Sequence, residues 1–190
     1  MENALIVSRT EKGVAYFTEI LNADSCEQIV ALKSCGEARR LLLERDFDLV
    51  IINAPLQDET GEDLSRDIAG SKGTTQVILV VKSEYFDEVS AATEEDGVLV
   101  VAKPINRNFF WTTLKLAKSA QNRLKKMQSE SSKLKQRIED ILIIDRAKCL
   151  LISHLKISEQ EAHRFIEKQA MDMRSSRRAI AEEVLKTYEN

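Results

Sequence analysis

Hydrophobic residues follow two rhythms along this chain, and the change of rhythm divides it. Up to about residue 105, short apolar runs recur: "ALIV" at 4–7, "QIVAL" at 28–32, "DLVII" at 48–52, "QVILVV" at 76–81 and "GVLVV" at 97–101. They are continuous rather than alternating, the mark of strands covered on both faces, as parallel strands flanked by helices are. Amphipathic stretches of helix length separate them, such as "GEARRLLLERD" at 36–46, where Ala38, Leu41 and Leu42 share a face. Five strands alternating with five helices predict a doubly wound α/β sandwich with right-handed crossovers.

From residue 105 to 190 there is neither Pro nor Gly, so nothing obliges the fifth helix to stop. A heptad register fits, with Ala117, Leu124, Ser131 and Ile138 at a, Ala120, Met127, Leu134 and Ile141 at d, and mostly charged or polar residues between. So narrow a seam predicts a parallel coiled-coil homodimer; a helix folded back on its own α/β domain is the alternative. "QSESSK" at 128–133 is its weakest part by propensity. The remainder predicts three helices. The second opens on a Ser158/Glu161 capping box and carries Ala162, Phe165, Ile166 and Ala170 on one face, and the third carries Ile180, Ala181, Val184, Leu185 and Tyr188.

Composition narrows the function classes. With 28 basic and 31 acidic residues the net charge is -3, so no global field draws the chain to nucleic acid and any such contact needs a local patch. Cys26, Cys35 and Cys149 lack metal or CxxC spacing and are expected as reduced thiols. His154 and His163 are isolated and expected on the surface or in helix packing; no metal or cofactor is expected. No apolar run approaches the roughly 18 residues of a membrane span and no signal pattern opens the chain, which predicts a cytoplasmic protein without a membrane partner.

In open α/β sheets chemistry collects at the carboxyl ends of the strands. There the chain has "DLVIINAPLQDETGEDL" on the third strand and "VVAKPI" on the fifth, with Pro55, Gly61, Lys103 and Pro104 in order. The pattern resembles the response-regulator receiver family, over residues 4 to about 118. The resemblance implies a flavodoxin-like five-stranded parallel sheet, an Asp that accepts phosphate, an acidic pair that holds Mg²⁺, a hydroxyl on the fourth strand and a Lys. Here Asn53 stands at the acceptor, Ser8 and Arg9 at the acidic pair and Val81 at the hydroxyl, while Lys103 is kept. An amide is no nucleophile towards phosphoryl donors, and an Arg repels magnesium. Residues 1–118 are therefore expected to form a pseudo-receiver in which Lys103 hydrogen-bonds Asn53 and backbone carbonyls.

Further on, "RAKCLLI" and "ISEQEAHRFIEKQAMDMRSSRRAIAEEVL" resemble the ANTAR domain, through Ala147, Lys148, Leu150, Ser158, Glu161, Ala162, Ala170, Met171, Ile180 and Ala181. The chain departs from the pattern at Cys149, where Gly is usual, and at Arg177, where an aliphatic residue is usual. The resemblance covers about residues 134 to 188 and implies RNA binding; with the heptad and helix readings it gives a coiled-coil linker at 119–133 and a three-helix ANTAR bundle at 134–190. ANTAR proteins act as antiterminators by holding paired small hairpins of a nascent leader transcript. The residues expected to touch RNA are Arg146, Lys148, Arg164, Lys168, Arg174, Arg177 and Arg178; "MRSSRR" at 173–178 also falls at a helix start, where backbone N–H groups favour phosphate. On the residues alone, the same charges suit a solvated helix face. Tyr188 is the aromatic residue available near the end of the chain. The expected function is a dimeric, RNA-binding regulator, with a sensor protein as a further partner. A protein-interaction scaffold and a helix-turn-helix DNA binder are the alternatives. An enzyme is not expected, since no nucleophile with an adjacent base is placed at the strand ends.

Overall fold

A computed structural model describes residues 1–24, 26–71 and 73–188. Its five strands are β1 (Asn3–Ser8), β2 (Gln28–Leu32), β3 (Leu49–Asn53), β4 (Gln76–Lys82) and β5 (Leu99–Lys103). All are parallel, in the order β2-β1-β3-β4-β5. Between them run α1 (Glu11–Ala23), α2 (Cys35–Glu44), α3 (Glu62–Ala69) and α4 (Phe86–Thr93), with a short 3-10 turn at Ser83–Tyr85. Then come α5 (Arg107–Leu155), α6 (Glu159–Asp172) and α7 (Arg177–Tyr188). The chain divides into two compact units, Met1–Lys126 and Met127–Asn190, with the boundary inside α5.

The period of two along each strand sorts the first unit's core into two clusters. Leu5, Val7, Val50, Ile52, Leu79 and Val81 face α2 to α4 and pack on Ala38, Leu64 and Val89. Ala4, Ile6, Leu49, Ile51, Ile78 and Val80 face the other way, onto Phe17, Ile20 and Leu21 of α1 and Phe110, Leu114 and Ala117 of α5. Side chains Thr10 and Ser34 cap α1 and α2, each satisfying an N–H that the helix start leaves without a partner.

The stripe by which α5 packs on the sheet continues to Gln121, which is buried and donates to Asp48 Oδ1 at 2.6 Å. Lys125 follows one turn on, 2.8 Å from the same carboxylate oxygen. Packing thus runs past residue 118. It also corrects one seam residue: Ala117 is fully buried against the sheet, because the i, i+4, i+7 spacing from Phe110 that faces the core takes it first. Ala120 is exposed, and Leu124, Met127, Leu134, Ile138 and Ile141 are all 42–58% exposed within this chain.

In the second unit, Ala147 and Leu151 of α5, Ala162, Ile166 and Ala170 of α6, and Ile180, Ala181 and Val184 of α7 make one small core. Ser158 opens α6 as a complete capping box with Glu161. Phe165 departs from the expected packed face: it lies about 100° round α6 from Arg164 and remains 39% exposed. Tyr188 instead packs against the core and stacks on His154 at 5.1 Å. Among the described residues no helix is long and apolar enough to cross a membrane.

Candidate phosphorylation site and nucleic-acid interface

Strand order reverses between β1 and β3, which places their carboxyl ends side by side at the switch point where open sheets bind ligands. Ser8 and Asn53 pair across that junction. The Asn53 amide donates to Ser8 Oγ at 3.0 Å, and the buried Ser8 hydroxyl donates to the Thr10 carbonyl at 3.2 Å. Asn53 Oδ1 is buried without a hydrogen-bond partner among the described residues. From above, Gly13 closes in: a Cβ there would fall 2.5 Å from both Asn53 Nδ2 and Ser8 Oγ. The first turn of α1 therefore seats on this pair only because residue 13 has no side chain.

Lys103, at the end of β5, donates to the Ala54 carbonyl at 2.5 Å rather than to Asn53. The expected Lys103–Asn53 bond is not formed: the ammonium is given to the Ala54 carbonyl, and Asn53 Oδ1, the one atom of that side chain that could accept it, has no partner among the described residues. Burial lowers the Lys103 pKa, and the neighbouring charges of Lys82 and Arg9 lower it further. Val81 turns methyl groups, not a hydroxyl, toward a cavity of about 460 Å³ that Ala54, Pro55, Tyr85 and Val89 also line. The donor set does not fit Mg²⁺. That ion needs hard, preferably anionic oxygens, whereas Ser8 and Asn53 are neutral and Arg9 follows Ser8 directly in the chain.

Cys35, Asp58 and Glu59 also bring ligand-type atoms within 4.8 Å of one another. Asp58 is engaged, accepting the Cys35 and Gly36 N–H groups at 3.0 and 2.9 Å at the start of α2. Burial and the nearby Glu59 and Asp58 charges push the Cys35 thiol up to about 12, so it stays protonated and is a poor metal ligand.

In the second unit the seven expected RNA residues separate by what they touch. Lys148 sits between Asp145 at 2.8 Å and Glu159 at 3.0 Å, and those bonds raise its pKa. Arg177 meets Glu167 at 3.1 Å. Arg178 reaches Asp140 of α5 at 2.7 Å and Glu182 at 2.9 Å, so it fastens the start of α7 to α5. Its bond, with that of Gln136, lowers the Asp140 pKa. Arg146 is exposed and engaged within the protein.

Arg164, Lys168 and Arg174 are exposed, and their side chains make no hydrogen bond or ion pair among the described residues. Arg164 and Lys168 stand one turn apart on the outer face of α6, and Met171, 78% exposed, extends that face by another turn. Phe165 flanks them as an exposed aromatic ring. Apolar periodicity assigns Phe165 to the core; its neighbour Ile166 already fills the inward position, and that was the available signal in the sequence.

The family model described as "Response regulator receiver domain" matches residues 4–115, and that described as "ANTAR domain" matches residues 132–185. The chain is 29% identical to "Transcriptional regulatory protein PdtaR" of Mycobacterium tuberculosis, over 89% of this chain and 82% of that protein. It is 24% identical to the "Aliphatic amidase regulator" of Pseudomonas aeruginosa, over 72% and 69% respectively. Among solved structures, its fold is similar to the signal receiver domain of an HD domain-containing protein from Pseudomonas fluorescens, with TM-score 0.58 and 21% identity over 66% of this chain and 92% of that one. It is likewise similar to the response regulator TrrA of Thermotoga maritima, solved in complex with Mg²⁺ and BeF, with TM-score 0.53 and 20% identity over 62% of this chain and 99% of that one.

Proposed function

Because the chain belongs to the response regulator receiver family, with an ANTAR domain as its second module, we propose that it is a non-enzymatic transcription regulator that acts on RNA. In this reading two copies pair along α5, their ANTAR units hold small hairpins of a nascent leader transcript, and the receiver unit is controlled by a protein partner such as a sensor rather than by phosphate. The two relatives whose names describe regulators support the general reading.

The observation that carries the RNA contact is the group of exposed cations on and after α6: Lys168 and Arg174 make no hydrogen bond or ion pair among the described residues, Arg164 has only the through-space attraction of Glu161, and Phe165 is exposed next to it. Cations neutralise phosphates, and an exposed ring stacks on the splayed bases of a hairpin loop. Lys148, Arg177 and Arg178 belong to the framework that holds this surface, since each is already paired. Control without phosphate is supported by an acceptor position that carries an amide, bonded to Ser8, in place of a carboxylate. Pairing is supported by the exposed stripe of Leu124, Met127, Leu134, Ile138 and Ile141.

Fluorescence anisotropy of the full chain, untreated with any phosphodonor, tests this reading against a pool of two-hairpin RNAs with randomised loops and against duplex DNA. The expected result is RNA binding that weakens linearly in log-log terms as salt rises, with the DNA excluded. Preference for the duplex would replace this reading by a helix-turn-helix one. Failure to bind either nucleic acid would leave a protein scaffold.

A further inference from the structure

Four described residues have φ in the left-handed region, and they divide by unit. In the first unit both are glycines, Gly61 at 91° and Gly97 at 77°; in the second both are cations, Lys156 at 57° and Arg174 at 50°. An L side chain there crowds a neighbouring carbonyl. Asn and Asp offset the crowding with a local hydrogen bond that Lys and Arg lack.

Both cations stand just past the end of a helix. The Lys156 N–H donates to the Ile152 carbonyl at 3.1 Å, the single bond of a left-handed cap on α5. After α6, the Arg174 N–H donates to Met171 at 3.2 Å and the Ser175 N–H to Ala170 at 2.9 Å, the paired bonds of a Schellman motif. Glycine makes either cap with less strain, and all three bonds belong to the backbone. The side chains therefore add nothing to the caps. Nor do they serve elsewhere in the fold: both are exposed, and neither pairs with a carboxylate among the described residues.

We infer that Lys156 and Arg174 are RNA phosphate contacts, one at each end of α6, kept in strained backbone positions for their charge. This rests on the RNA-binding reading above and adds Lys156 to the surface. Across the 14 residues of α6 the helix rises about 21 Å. The two charges thus meet different phosphates, and their effects add.

Lys156→Gly, Arg174→Gly and the double variant test this in the full chain, with Lys115→Gln in the first unit as a charge-matched control. Each would be titrated with the randomised two-hairpin RNA pool at several salt concentrations and melted without RNA. Each glycine variant is expected to melt a few degrees higher than the parent, because strain is relieved. Each is expected to bind about 3- to 10-fold more weakly at low salt, with the log-log salt slope shallower by about 0.7 to 0.9 per residue. The loss should be uniform across loop sequences, since phosphate contacts do not read bases. Glycine variants that bind as tightly as the Lys115→Gln control overturn the inference, as does a lower melting temperature. If the parent chain binds no RNA at all, the reading beneath it fails, and that outcome is distinguished by flat titrations for every protein in the set.

Discussion

The two units treat their own surfaces differently. In the first, both apolar clusters are closed over by helices, the left-handed positions are glycines, and the large apolar side chains left more than half exposed are Leu43, Tyr85, Phe109 and Leu116. In the second, Leu134, Ile138, Ile141, Leu142, Met171 and Met173 are more than half exposed, and the left-handed positions carry charge. A domain that covers its sheet on both faces and turns left-handed on glycine is specified for its own stability. One that leaves apolar stripes and charges open is specified partly by what it binds.

The largest test of that difference lies on α5. Leu134 and Ile138 are each 58% exposed in the single chain, so replacing both by Gln removes little from the folded monomer. If they form the seam between two copies, four side chains per dimer lose burial worth about 1 kcal/mol or more each. The total, roughly 5 kcal/mol, weakens dimerisation more than a thousandfold. Sedimentation velocity across a dilution series should show monomer for the variant and dimer for the parent, while the thermal transition of the first unit stays in place. An unchanged dimer would move the pairing surface elsewhere.

A smaller effect is expected where the first unit uses glycine for a reason opposite to that of Lys156 and Arg174. At Gly61 a Cβ would sit 2.7 Å from Ile52 Cγ2, at φ 91°, whereas at Gly97 a Cβ meets nothing within 4 Å. Gly61→Ala combines backbone strain with overpacking and should cost about 3 kcal/mol; Gly97→Ala carries strain alone and should cost about 1 kcal/mol. Urea unfolding with unchanged m-values would verify the pair. Equal costs would show that the contact with Ile52 relaxes away.

The sequence made the first unit legible because its signals are redundant. Five β-branched runs, the Gly61 turn and the Lys103-Pro104 ending all specify one sheet, and the structure has that sheet. The three ANTAR helices were equally plain from their apolar stripes and the Ser158 box. Legibility fails where one residue has two suitors. Ala117 fits both a heptad and the sheet-facing stripe, and the sheet takes it. Phe165 fits an apolar face on which Ile166 leaves no room. Arg178 looks like any surface cation until Asp140, 38 positions earlier, is found beside it. The strain at Lys156 and Arg174 was invisible for a further reason: a stretch without glycine gives no hint of where the backbone turns left-handed.

Asp48 sharpens the comparison by the smallest expected effect, because it marks how far along α5 the bonding of the first unit reaches. Its carboxylate accepts the Glu2 and Asn3 N–H groups, Gln121 and Lys125. Burial alone would raise its pKa, but the bonds from Lys125, the two N–H groups and Gln121 outweigh it and hold the pKa at about 2. An unfolded Asp titrates near 3.9, so the folded group is the stronger acid and its contribution, about 2 kcal/mol, is fully present above pH ~4. As pH falls from about 4 to about 2, protonation of the folded carboxylate removes it. Asp48→Asn should therefore lower the stability of the full chain by about 2 kcal/mol at pH 7 and by progressively less toward pH 2, read from urea midpoints across that window. Hydrogen exchange localises the loss. Amides of α5 up to Lys125 should exchange faster in the variant, while those of α6 and α7, whose core shares no residue with this network, keep the parent's rates. Faster exchange in both units would mean that α5 transmits the change and that the second unit depends on the first for its order.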